Sequence, residues 1–163
     1  LVPLLEDGDF RLSQSLAIIE WLEECYPEPP LLPAGPRDRA RVRSFAQLIA
    51  CDIHPLQNLR VLEYLRNELD QDEDRVGAWC RQWIGEGLRA CEMLLAQEQH
   101  GGAYSFGPAP GLADICLVPQ VFSARRFGVD LASMPTIERI VAACEELEPF
   151  AAAHPSRQPD AEQ

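Results

Sequence analysis

Leu1-Val2-Pro3-Leu4-Leu5 opens the chain as an apolar run, meets Glu6-Asp7-Gly8-Asp9, and gives way to Phe10-Arg11-Leu12. The pattern predicts a β-hairpin with an Asp-Gly turn. An isolated two-stranded hairpin is marginal in water, so further strands are expected from residues ahead of Leu1. Ser13-Gln14-Ser15 then offers hydroxyl caps to a helix carrying Leu16, Ile18, Ile19, Trp21 and Leu22. Pro27, Pro29 and Pro30 stop that helix after Cys25-Tyr26. Residues 27–36 hold five prolines and read as a stiff, extended linker, the best domain boundary in the chain.

From Asp38 the period changes to that of helices. One long helix is expected to about Leu69, interrupted at Pro55, with Phe45, Leu48, Ile49, Ile53, Leu56 and Leu59 as its apolar stripe. An acidic break at Asp70 to Asp74 precedes a helix on Val76, Trp79, Cys80, Trp83, Cys91 and Leu94, ended by Gly101-Gly102. Gly111 to Phe127 is apolar nearly all round, the mark of a central buried helix. Ile137, Ile140, Val141, Cys144 and Leu147 make an amphipathic helix packed outside it. The tail from His154 to Asp160 is polar and proline-interrupted, and no repeat is visible. The predicted architecture is an α/β piece over residues 1–30 joined to an all-α helical bundle over 31–163.

Composition narrows the function. The 163 residues are 47% apolar and 25% charged, a globular balance. No run approaches ~18 apolar residues and no basic leader precedes a short apolar stretch, so neither a membrane span nor a signal peptide is expected. Acids outnumber bases 26 to 14, every base is Arg, and the net charge is −12. Nucleic acid and anionic membranes are therefore poor partners, and an anionic small substrate would have to be caught by local arginines. Six cysteines show no C-x-x-C pair and no clustered His, so no metal site is expected. Cys80, Cys91, Cys116 and Cys144 read as small buried hydrophobes of a reducing cytosol, which gives a cytoplasmic expectation.

Some positions carry candidate chemistry. A proline at a tight turn beside a strand, as in Val2-Pro3, is where cis peptides occur; taken alone, a mere strand edge is the favoured explanation. Gln14-Ser15 begins a helix, whose unpaired N–H groups and positive dipole end attract a carboxylate; a plain N-cap is the alternative. His54 and Asn58 lie four apart on a face opposite the apolar stripe, beside the kink expected at Pro55. Arg60 sits nearer the stripe and reads equally as a snorkelling surface residue. Arg125 and Arg126 end the central helix, where its carbonyl dipole favours cations. Asp114, three residues after Gly111, has capping-box spacing and is assigned to folding.

The order of these elements resembles the glutathione transferase fold. Gln14-Ser-Leu-Ala-Ile-Ile-Glu-Trp-Leu-Glu-Glu24, Leu31-Leu-Pro33, Ile53-His-Pro-Leu-Gln-Asn-Leu-Arg60, Leu112-Ala-Asp-Ile-Cys-Leu-Val-Pro-Gln120, Arg126-Phe-Gly-Val-Asp-Leu131 and the tail His154 to Asp160 resemble the zeta class, the maleylacetoacetate isomerases. The resemblance implies the C-terminal part of a thioredoxin-like domain that binds glutathione, a helical domain covering the second substrate, and a homodimer. It implies that the Val2 backbone pairs with the cysteinyl part of glutathione, with Pro3 shaping the turn. Gln14 and Ser15 would hold the γ-glutamyl group, His54 and Asn58 would orient glutathione or substrate, and Arg126, with Arg60, would grip substrate carboxylates. The family normally has Ser or Thr where Gly111 stands. Its thiol-activating Ser/Cys-rich segment would lie before Leu1, so no catalytic group is assigned within the chain. The implied reaction adds the glutathione thiolate to a conjugated double bond of a maleyl-type diketo acid, which rotates as a single bond and re-forms trans when the thiolate leaves. Maleylpyruvate and α-halo acids are the alternative acceptors, and a non-catalytic glutathione-transferase-like binding module is the alternative of another class.

Overall fold

A computed structural model describes residues 2–98, 102–159 and 161. Strands β1 (Leu4–Asp7) and β2 (Phe10–Ser13) pair antiparallel, from Leu4 with Ser13 to Asp7 with Phe10. The two-residue turn is therefore Gly8-Asp9, one position later than the Asp-Gly expected. Gly8 takes φ 58° while Asp9 stays out of the left-handed region, the pattern of a turn with Gly at its first central position. Leu1, Gly101 and Asp160, each part of an expectation above, lie outside the described residues.

Helix α1 (Ser15–Cys25) follows β2 directly. None of its apolar residues is buried, and Glu23 is the one buried residue of the described stretch 2–30. Polar contacts tie this part to the rest. Glu23 accepts the N–H groups of Leu31 at 2.7 Å and Leu32 at 3.2 Å, which anchors the proline-rich linker. Glu20 takes a two-pronged bond from Arg43 at 2.9 and 2.8 Å. That fork holds the Glu20 carboxyl below its ordinary 4.5.

The expected long helix is divided. Helix α2 (Pro36–Gln47), with Pro at its first turn, runs into a π-helical segment (Leu48–Ile53), a 3₁₀ turn (His54–Gln57) and helix α3 (Leu59–Asn67). The interruption moves the phase of the apolar face. Leu59, placed on the stripe by an unbroken helix, is 65% exposed, and Leu62 and Leu65 carry the burial of α3 instead. Gly87 of the next helix gives the π segment room: a Cβ there would collide with the Ile53 side chain, which packs against the glycine.

Helix α4 (Glu73–Gln97) is N-capped by Asp72, which accepts from Arg75 N at 2.9 Å. The acidic stretch is thus the start of the helix and complements its dipole. Its buried face runs through Val76, Cys80, Ile84, Leu88, Cys91 and Leu95, leaving Trp83 and Leu94 of the predicted stripe exposed. The helix ends at Gln97, before the two glycines.

Helix α5 (Leu112–Arg126) sits centrally against α2, α4 and α6 (Pro135–Glu145). It is not buried all round: Pro119 is exposed and Ile115, Cys116, Val118 and Phe122 are half-buried. Asp114 holds its start, Oδ2 accepting from Gly111 N at 2.9 Å and Oδ1 from Ser105 N and Oγ at 2.9 and 2.8 Å. Glu92 reaches from α4 to cap the first turn of α6 through Thr136 N and Ile137 N. Helix α7 (Glu148–Ala152) and a short 3₁₀ turn (Pro155–Arg157) are the last elements among the described residues. The core is one apolar cluster drawn from α2 to α6 and their connections.

Candidate functional site

Two groups of side chains stand where a ligand could reach them. The first lies at the open end of the hairpin. Because Leu4 pairs with Ser13, the residues just before β1 and just after β2 emerge together. Val2-Pro3 is a cis peptide, and Val2 is 96% exposed. Opposite it, Gln14 takes φ 78° and ψ 114°, a left-handed conformation rare for a non-glycine residue. Such strain persists only where the surroundings impose it and is characteristic of ligand clamps.

Neither serine caps α1 as the sequence suggested. Ser13 ends β2, Gln14 occupies the cap position without a side-chain bond, and Ser15 is the first helical residue. The first intrahelical bond runs from Ile18 N to Gln14 O at 3.0 Å. Among the described residues the N–H groups of Ser15, Leu16 and Ala17 have no partner. Three free donors at a positive helix end, with the Ser15 hydroxyl exposed beside them, are an arrangement that attracts an anion. A cavity of about 200 Å³ opens next to it, lined by Leu16, Ala17, Glu20, Arg43 and Leu112.

The second group is built on the helix break. His54 begins the 3₁₀ turn and is exposed, while Asn58 ends it half-buried. They therefore flank a turn and do not share one face of a regular helix. Asn58 starts α3 through its backbone carbonyl, which accepts from Val61 N at 2.8 Å and Leu62 N at 3.1 Å, and its side chain takes no part in the cap. Arg60 is exposed in the first turn of α3. At the end of α5 the two arginines differ. Arg125 pairs with Glu145 at 2.7 Å, whereas Arg126 is exposed and makes no ion pair among the described residues, and the same holds for Arg60. The sequence left one of the pair as a helix-end cation; the pairing gives that part to Arg125 and leaves Arg126 available.

Polar contacts hold the break in place. Trp79 Nε1 of α4 donates to Leu56 O at 2.7 Å, and Gln57 Nε2 donates to Gln120 Oε1 of α5 at 2.7 Å. Sequence reasoning passed over Glu20, Glu23, Gln57 and Gln120. The signal for the last two was present: Gln57 follows Ile53 by four residues and Gln120 follows Leu117 by three, polar residues on apolar faces. No hydrogen bond or ion pair joins Val2, Gln14 or Ser15 to His54, Asn58, Arg60 or Arg126, which leaves two separate candidate half-sites.

Asp114, 1% exposed and fully engaged by backbone and Ser105, serves folding as expected. The described residues contain no cluster able to hold a metal, and none of their helices is long and apolar enough to cross a membrane. Burial pushes the thiols of Cys91 and Cys144 up to about 12 and that of Cys116 to about 11, while Cys25 and Cys51 are exposed.

No protein-family model matches the chain. A maleylpyruvate isomerase of a Ralstonia species is 55% identical over 98% of this chain and 76% of its own length. A solved holo structure of a maleylpyruvate isomerase, described as a bacterial zeta-class glutathione S-transferase, superposes with a TM-score of 0.97 at 54% identity, over 99% of this chain and 76% of that one. A maleylacetoacetate isomerase from Anaeromyxobacter dehalogenans, solved with dicarboxyethyl glutathione and citrate in its active site, superposes at 0.91 with 46% identity, over 99% and 73%.

Proposed function

The chain belongs to the zeta-class glutathione transferase family of maleylpyruvate and maleylacetoacetate isomerases, and from that premise we propose a glutathione-dependent cis–trans isomerase of maleyl-type diketo acids, maleylacetoacetate first among them. The observation that carries the reading is the strained Gln14 with three unpartnered N–H groups behind it, facing the exposed Val2 edge. These features fit glutathione. The α1 terminus and the Ser15 hydroxyl would hold its γ-glutamyl carboxylate, Gln14 its amine, and the Val2 backbone its cysteinyl amide as an added strand would.

When bound, glutathione supplies a thiolate able to add reversibly to a conjugated double bond. The chain's own residues bind, orient and stabilise. Arg126, with no carboxylate partner of its own, presents a planar fork to a substrate carboxylate, and Arg60 offers a second cation. Both place positive charge where an enolate would develop, against a protein of net charge −12. His54 and Asn58, at the two ends of the turn, orient the substrate between those charges.

The 55% identity to a maleylpyruvate isomerase supports maleylpyruvate as the alternative substrate. The protein is proposed to work as a homodimer in the cytoplasm. The exposed apolar side chains Tyr26, Leu59 and Tyr64 support the former, and six unpaired thiols the latter. Residues 1–30 and 31–163 are proposed as the two domains, joined where Glu23 holds Leu31 and Leu32. The test is to assay both diketo acids with and without glutathione. Turnover of either, dependent on glutathione, supports the reading; glutathione-independent turnover, or none, rejects it.

A further inference from the structure

The turn that carries His54 and Asn58 has little rigidity of its own. It joins a π-helical segment to a 3₁₀ turn, and Pro55 within it has no N–H to give. Its position relative to α5, the helix that ends in Arg126, must come from tertiary contacts. One hydrogen bond between the turn and α5 is seen among the described residues, that from Gln57 Nε2 to Gln120 Oε1 at 2.7 Å.

This pair is a poor device for stability. Gln57 is 9% and Gln120 3% exposed, and after their single bond Gln57 Oε1 and Gln120 Nε2 remain without a partner among the described residues. Two buried amides that satisfy only half of their polar atoms stabilise less than two apolar side chains of the same shape. What a buried hydrogen bond supplies, and dispersion contacts do not, is a fixed direction. Gln57 immediately precedes Asn58, and Gln120 lies six residues before Arg126, about 9 Å along the helix axis at 1.5 Å per residue.

We propose that the buried Gln57–Gln120 amide pair is the positioning element of the dicarboxylate half-site: it sets His54 and Asn58 in register with Arg126 without touching substrate. The assignment rests on the isomerase reading for the identity of that half-site.

The full-length protein and its Gln57→Met, Gln120→Met and double variants are titrated with glutathione and with dicarboxyethyl glutathione, and melted. The double variant removes both amides and leaves no orphan, so it is expected to melt at or above the parent temperature even if the single variants fold poorly. Its affinity for glutathione should stay within about twofold, while its affinity for dicarboxyethyl glutathione falls about tenfold or more, the scale of a misplaced binding group. A folded double variant that keeps the parent's preference for the dicarboxylate adduct overturns the proposal. So does a parent that binds the adduct no better than glutathione, since there is then no half-site to position. A parent that shows the preference but isomerises neither diketo acid refutes the isomerase reading and leaves the positioning role to be decided by the double variant's affinities alone.

Discussion

Arg126 and Arg125 are adjacent in sequence and opposite in consequence. Arg125 spends its guanidinium on Glu145; Arg126 keeps its own free among the described residues. Arg126→Ala should therefore lower kcat/KM for the diketo acid roughly thirtyfold, the loss of about 2 kcal/mol of charge-assisted bonding. Arg125→Ala removes an exposed ion pair and should leave kinetics and melting nearly unchanged; steady-state kinetics on both variants checks the contrast. The thiols divide as sharply. Raised to about 12 in Cys91 and Cys144 and about 11 in Cys116, and raised likewise by burial in Cys80, four thiols have almost no thiolate at neutral pH. Alkylation of the native protein followed by peptide mass mapping should mark Cys25 and Cys51 within the chain, and the other four only after unfolding. Early labelling of Cys91 or Cys144 would contradict the packing described.

Among the elements, the break between α2 and α3 has most bearing on function, and it was only half legible. Pro55 announced an interruption, but the π segment packs Ile53 against Gly87, 34 positions away, and no local pattern encodes that contact. Hence Leu59 was placed inside and lies outside, while the buried Gln57 went unnoticed. The same limit explains the cap of α1: serines at a helix start invite a hydroxyl cap, and only the backbone of Gln14 shows that none forms. Asp114 was legible because its partner Gly111 is local. Gly87→Ala should destabilise by about 1–2 kcal/mol, overpacking outweighing better helix propensity, and should lower activity through the turn; thermal melting with kinetics checks it. Asp114→Ala, which strips two buried bonds and a part-buried one, should cost about 3 kcal/mol, measured by denaturant unfolding. The Glu20–Arg43 fork joining α1 to α2 has a pH signature. Glu20 has its folded value lowered below 4.5, so its contribution is present above that pH and is lost as pH falls through the folded value. Stability curves of parent and Glu20→Gln should thus converge in acid and separate towards neutrality.

At the scale of the whole molecule, a chain of net charge −12 carries two exposed arginines, Arg60 and Arg126, with no ion pair among the described residues, and free backbone donors at the start of α1. The overall order of elements was readable from sequence words in their right order, and the candidate positions could be named; how those positions lie relative to one another was not readable, because spacing along a chain does not report distance in space. A homodimer should show twice the chain mass of the full-length protein in light scattering, and a single-chain mass would remove the proposed assembly. The central claim is isomerisation that needs glutathione without using it up. It is tested most directly by following conversion of maleylacetoacetate or maleylpyruvate to its trans isomer in the full-length protein with a limiting amount of glutathione. The account predicts many turnovers per glutathione, with free thiol undiminished at the end. Conversion that proceeds equally without glutathione, or that stops when one equivalent has been consumed, would contradict it.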